Sequence, residues 1–113
     1  MHELSIASAL VDQLTELALR EHAERVLSVT IAVGCLSGVD PEALKMAFPL
    51  AADGSSSADA TLITRWMPAR LRCRRCKRET VSDEPVFQCE HCGAQELDLT
   101  AGRELHLVEA EVT

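Results

Sequence analysis

At 113 residues, 47% of them apolar, the chain suffices for one compact domain, or one with a small appended module, and is too apolar for a disordered segment. A formal charge of -7 works against general nucleic-acid binding, whose affinity comes from phosphate attraction, and two Phe, one Trp and no Tyr leave no stacking platform for bases. No run approaches the roughly 20 apolar residues of a membrane span, and no basic region followed by an apolar core opens the chain, so the cytoplasm is the expected compartment.

From Ser5 to about Ala23, Leu10, Leu14, Leu17 and Ala18 recur at helical spacing, with Asp12, Glu16, Arg20 and Glu24 on the wet side. Ser5 is placed to be the N-cap of this helix, which would leave residues 1–4 outside it. Leu27, Val29, Ile31 and Val33 then alternate with Ser28, Thr30 and Ala32, a β-branched strand followed by turn-permitting Gly34 and Gly38. Asp40 as N-cap and Pro41 at the first helical position open a second helix whose apolar face is Leu44, Ala47, Phe48 and Ala51. Pro49 predicts a bend or an early end near Phe48. Residues 53–59, DGSSSAD, read as a flexible connection.

Ala60, Leu62, Thr64 and Trp66 alternate as a second strand. Beyond the cysteines, residues 96–100 suit a short strand and residues 102–112 a longer one, with a bulge or register change after Leu107. The expected class is α+β, two helices on a sheet of about three strands with an inserted zinc-ribbon-like module. Residues 1–67 plus 101–113 would form the main domain and residues 70–99 the insertion.

Cys73, Cys76, Cys89 and Cys92 form two CxxC pairs, CRRC and CEHC, leaving Cys35 as a small hydrophobe near a strand end. Two turning pairs can bring four thiolates around one ion, and an all-sulfur tetrahedron favours structural Zn(II), with iron, a redox dithiol or unligated thiols as the alternatives. Val81, Val86 and Phe87 are the only core candidates between the pairs, so metal binding would have to replace a core. His91, inside the second pair, reads as an exposed residue, with replacement of one cysteine or coordination of another ion as the alternative.

The N-terminus is a second candidate ligand set. His2 is too large for the usual removal of methionine, so Met1 is expected to remain. Its amine, the backbone nitrogen and imidazole of His2 and the backbone nitrogen of Glu3 can close a plane of four nitrogens, a geometry suited to Ni(II) or Cu(II) and not to Zn(II). The Glu3 carboxylate offers an oxygen ligand instead, or an acceptor that holds the His2 ring.

Nothing supports an enzyme. The chain has no glycine-rich phosphate cradle and no HExxH, and His2, His22, His91 and His106 are scattered.

The start MHELSI, the segment LSVTIAVGCLSGVDPEALKMAF and the doubled CxxC together resemble the HypA/HybF family of hydrogenase nickel-incorporation proteins, over essentially the whole chain. The resemblance implies a nickel metallochaperone with Ni(II) as transferred cargo on Met1, His2 and Glu3, and Zn(II) held structurally by Cys73, Cys76, Cys89 and Cys92. It implies a nickel-handling GTPase and the large subunit of [NiFe]-hydrogenase as partners, urease as another target, and weak self-association. It implies no nucleic acid and no membrane.

Seven of the eleven basic residues lie between Arg65 and Arg78 with no acid among them. Under the resemblance this stretch is a docking surface for an acidic partner or an ordinary solvated face. The rival reading, a zinc ribbon that binds nucleic acid through CRRCKR, is opposed by the net charge and by Asp83, Glu84 and Glu90. A scaffold protein stapled by zinc is the third.

Overall fold

The computed structural model of the chain describes residues 2–113, with His2 described in its backbone only. The first helix, α1, runs His2–Arg20 and buries Ala7, Leu10, Val11, Leu14 and Ala18. It begins three residues before the expected cap at Ser5, which lies inside it. Nothing in residues 2–4 breaks a helix, and the Glu3 carboxylate in the first turn suits the positive end of the helix dipole. The helix closes on His22, a non-glycine residue at φ 55, with Ala23 N–H donating to the Ala18 carbonyl at 2.8 Å.

Strand β1 (Val26–Gly34) is buried on both faces from Val29 onward. Helix α2 (Pro41–Ala52) starts where expected: Asp40 sits in extended conformation and its Oδ1 accepts from Glu42 N–H at 3.0 Å. It does not end near Phe48 but runs through Pro49, burying Leu44, Phe48 and Ala52. Pro49 is exposed, so the carbonyl its ring deprives of a partner faces water, which lowers the cost of a proline there. Replacing Asp40 by alanine removes the cap and is expected to cost about 1 kcal/mol, read as a fall in Tm of about 5 °C.

Residues 53–59 are an ordered series of turns, not a loose connection. Ser55 Oγ donates to the Ala52 carbonyl at 2.7 Å and accepts from Ser57 N–H at 3.0 Å, and Ser56 O accepts from Val26 N–H at 2.9 Å. Serine hydroxyls here do what glycine or proline does in other turns.

Strands β2 (Thr61–Met67) and β6 (Leu105–Val112) flank β1 in a three-stranded sheet of order β2-β1-β6. Along β6 the half-buried positions are Leu107, Ala110 and Val112. Strands β3 (Ala69–Cys73), β4 (Glu79–Ser82) and β5 (Leu97–Ala101) form a second, antiparallel sheet of order β4-β3-β5, with a bulge between Arg70 and Leu71.

The chain divides into two compact units. The first comprises the chain up to Ile31, Val39–Arg65 and His106–Thr113; there α1 and α2 pack together, and their buried faces with Val26, Val29 and Ile31 make the core. The second comprises Ala32–Gly38 and Trp66–Leu105. Its second cluster of buried side chains is made of Cys73, Cys89 and Ala94, with Cys76 and Leu97 packed on it. A core of cysteines is a core only when something joins the sulfurs.

Candidate metal centre

Cys73 ends β3, and the chain reverses directly after it. Cys73 N–H donates to the Arg78 carbonyl at 2.9 Å, while Lys77 N–H donates back to the Cys73 carbonyl at 3.0 Å. The second pair repeats this: Cys89 N–H donates to the Ala94 carbonyl at 2.8 Å, and Gly93 N–H to the Cys89 carbonyl at 2.9 Å. The fourth residue after each leading cysteine is left-handed, Lys77 at φ 66 and Gly93 at φ 78. The doubled CxxC is therefore a doubled conformation.

Each turn also aims a backbone donor at sulfur. Cys76 N–H lies 3.4 Å from Cys73 Sγ, and His91 N–H lies 3.3 Å from Cys89 Sγ. Such donors favour the thiolate over the thiol. The Cys92 N–H first, and the His91 N–H after it, outweigh burial at Cys89 and hold its thiol at about 6. At Cys73 the Cys76 N–H is the main cause of a downward shift. At Cys92 the Ala94 N–H acts downward but is outweighed by burial and by the other three thiols, which push it up to about 11. Four sulfurs competing for negative charge in one place are what a divalent cation relieves.

All four Sγ atoms lie within 4.8 Å of one another. Cys73 and Cys92 are 3.6 Å apart, as are Cys76 and Cys89. Those separations are far too long for disulfides and close to the edge of about 3.8 Å implied by a tetrahedron with Zn–S bonds of about 2.3 Å. The donor set thus fits zinc, with no fifth donor among the described residues: His91 Nε2 lies 3.2 Å from the Glu79 carbonyl oxygen and does not join the sulfurs. Cys35 stands apart, half-buried, its thiol 3.8 Å from the Ser82 carbonyl oxygen.

The pH dependence follows from these shifts. Cys89 is depressed from 9.0 to about 6, so its thiolate contributes stability to the metal-free module that is complete above pH 9 and lost as pH falls through about 6. Cys92, raised to about 11, works in the opposite sense, and its contribution is lost as pH rises through that value. Because each thiol must give up its proton to bind the ion, zinc content at a fixed free-zinc concentration is expected to fall as pH drops. Metal analysis across a pH series checks this; zinc content independent of pH down to strongly acidic solution would count against the four-thiolate site.

Of the N-terminal ligand set, Met1 and the His2 side chain lie outside the described residues. Glu3 does not. Its Oε2 accepts from Asp40 N–H at 3.4 Å, and Asp40 in turn caps α2, so the first turn of α1 is tied to the start of α2. No sequence signal connects residues 37 positions apart in this way. The backbone N–H groups of His2 and Glu3 fall in the first turn, where a helix supplies no acceptors.

An α+β scaffold with four cysteine sulfurs gathered at zinc-ligand spacing defines a protein with a ribbon-type metal site. The comparisons with known proteins are specific. The family described as "Hydrogenase/urease nickel incorporation, metallochaperone, hypA" matches residues 1–112. The chain belongs to the HypA family, whose members are nickel metallochaperones and hydrogenase maturation factors, not enzymes. It is 39% identical over 113 residues to the hydrogenase maturation factor HypA of Synechococcus elongatus, covering 99% of each chain. It is 41% identical over 110 residues to that of Streptomyces avermitilis, covering 96% of this chain and 84% of the other. Among solved structures it is similar to the Ni metallochaperone HypA from Helicobacter pylori, with 26% identity, a TM-score of 0.69 and coverage of 99% and 97% of the two chains. A second solution structure of a HypA protein superposes with a TM-score of 0.73 at 26% identity, covering 100% of this chain and 97% of the other.

Proposed function

We propose that the chain binds Ni(II) at its N-terminus and assists its insertion into [NiFe]-hydrogenase, with urease as an alternative target, while Zn(II) on Cys73, Cys76, Cys89 and Cys92 holds the second unit together. The nickel ligands are the Met1 amine, the His2 backbone nitrogen and imidazole, and the Glu3 backbone nitrogen. The observation that carries this reading is that α1 begins at His2. The backbone nitrogens of residues 2 and 3 are then orphan donors of a first turn, free of intrahelical bonds that metal binding would have to break. The Glu3 carboxylate, held at the start of α2, keeps that turn in place.

A terminal, nitrogen-rich site can surrender its ion, which a carrier requires; the closed sulfur site keeps its own. The partners are the nickel-handling GTPase of hydrogenase maturation and the hydrogenase large subunit, met in the cytoplasm. No helix among the described residues is long and apolar enough to cross a membrane.

Ni(II) titration with metal analysis of the chain starting at its own Met1 tests the reading. About one Ni(II) and one Zn(II) per chain are expected. His2→Ala, or residues added before Met1, should abolish nickel binding and leave zinc content unchanged. Unchanged nickel affinity in either variant would remove the N-terminal site.

A further inference from the structure

The basic stretch is not used up by the metal centre. In β3, Arg70 and Arg72 are exposed and alternate with buried Leu71 and Cys73, so the arginines hold the solvent face of the small sheet and the cysteine its inner face. The register places Glu79 of β4 and Asp98 of β5 on either side of Arg72. Both carboxylates bond elsewhere. Glu79 accepts from Arg70 at 3.1 Å and Asp98 from Arg74 at 2.9 Å, while Glu96 pairs with Arg75 at 3.7 Å. Arg72, Lys77 and Arg78 are exposed and make no ion pair among the described residues.

We infer that this face is a docking surface for an acidic, extended polypeptide segment of a partner protein, with Arg70 and Arg72 meeting carboxylates at alternate positions of that segment. Alternate side chains on a strand stand about 7 Å apart, and an extended partner has the same repeat. The existing pairs do not block the site. They are exposed, worth little individually, and engage one face of guanidinium groups that each carry five donors. The net negative charge of the chain lies in the first unit, so an acidic partner is attracted by this face and repelled by that unit. Nucleic acid fits less well, because two Phe, one Trp and no Tyr leave little platform on which bases could stack. The inference deepens the maturation-factor reading and rests on it for one thing only, that the occupant is a protein.

The test uses the zinc-loaded full chain, so that the sulfur site is in the state it has in use. A labelled synthetic peptide of alternating Glu and Ser is titrated by fluorescence anisotropy, with an alternating Lys and Ser peptide and an oligothymidylate as the other arms. Saturable binding of the acidic peptide is expected, weakened about tenfold or more when salt rises from about 20 to about 150 mM. Arg72→Glu with Arg78→Ala should abolish it, and Glu79→Gln with Asp98→Asn, which removes the competing carboxylates, should tighten it several-fold.

Zinc content and nickel stoichiometry should be the same in all variants, which separates failure of this surface from failure of the nickel site. No binding of the acidic peptide, binding indifferent to Arg72→Glu with Arg78→Ala, or tighter binding of the oligothymidylate would overturn the inference.

Discussion

Gly34→Ala is expected to destabilise the zinc-loaded protein by about 3 kcal/mol or more, well beyond the usual effect of one added methyl group. Gly34 ends β1, and a Cβ there would fall 2.1 Å from the Gly102 carbonyl oxygen, 2.4 Å from its carbon and 2.7 Å from Glu104 N. All three are backbone atoms, so no side chain can swing aside. Nor can the strand back away without loss, because Gly34 N–H donates to Glu104 O and Leu36 N–H to Gly102 O, each at 2.7 Å. Gly102 is itself confined: its φ of 130 suits glycine alone, and a Cβ on it would come within 2.9 Å of Ala69 Cα. Gly38→Ala is the comparison, since a Cβ at that position meets nothing within 4 Å and only its φ of 81 is unfavourable. Chemical denaturation of the two variants decides: a loss at Gly34 no larger than at Gly38 would mean the backbones do not cross so closely.

The second large effect is at the sulfurs. Cys89→Ser is expected to release the zinc and unfold the second unit's cysteine cluster while the helices of the first unit persist. Apart from Ala94 and Leu97, that cluster consists of the cysteines themselves, so little apolar burial remains once the ion is gone. The apparent binding free energy of a structural zinc, about 10 to 16 kcal/mol in finger peptides, has no substitute there. The helices depend on other contacts: Leu10, Leu14, Leu44 and Phe48 are buried in the first unit. Zinc analysis with far-UV circular dichroism and amide NMR reads both parts. Cooperative loss of the helical signal along with the zinc would refute the separation.

What could be read in advance followed local rules. The period of two in residues 27–33, the Asp40-Pro41 cap and the cysteine spacing each depend on neighbours a few positions away, and each corresponds to what forms. The start of α1 is not legible in advance because Ser5 satisfies the cap rule as well as it satisfies a helix interior, and the choice is made by residues with no hydrophobic period. The turn at residues 53–59 reads as a flexible connection because composition does not say that Ser55 bonds in two directions. Distance in sequence hid the rest. Glu3 meets Asp40, and Gly34 meets Gly102, through placements that only the assembled fold supplies.

The two metal-binding turns share one backbone path, yet they are not equally comfortable on it. Gly93 adopts its left-handed conformation at no steric cost, whereas Lys77, with a Cβ, holds the same conformation at roughly 1 to 2 kcal/mol. In the metal-free chain the CEHC half therefore forms its loop more readily than the CRRC half. The two halves of one sulfur site thus differ in what their shared backbone path costs, and the difference comes down to a lysine and a glycine.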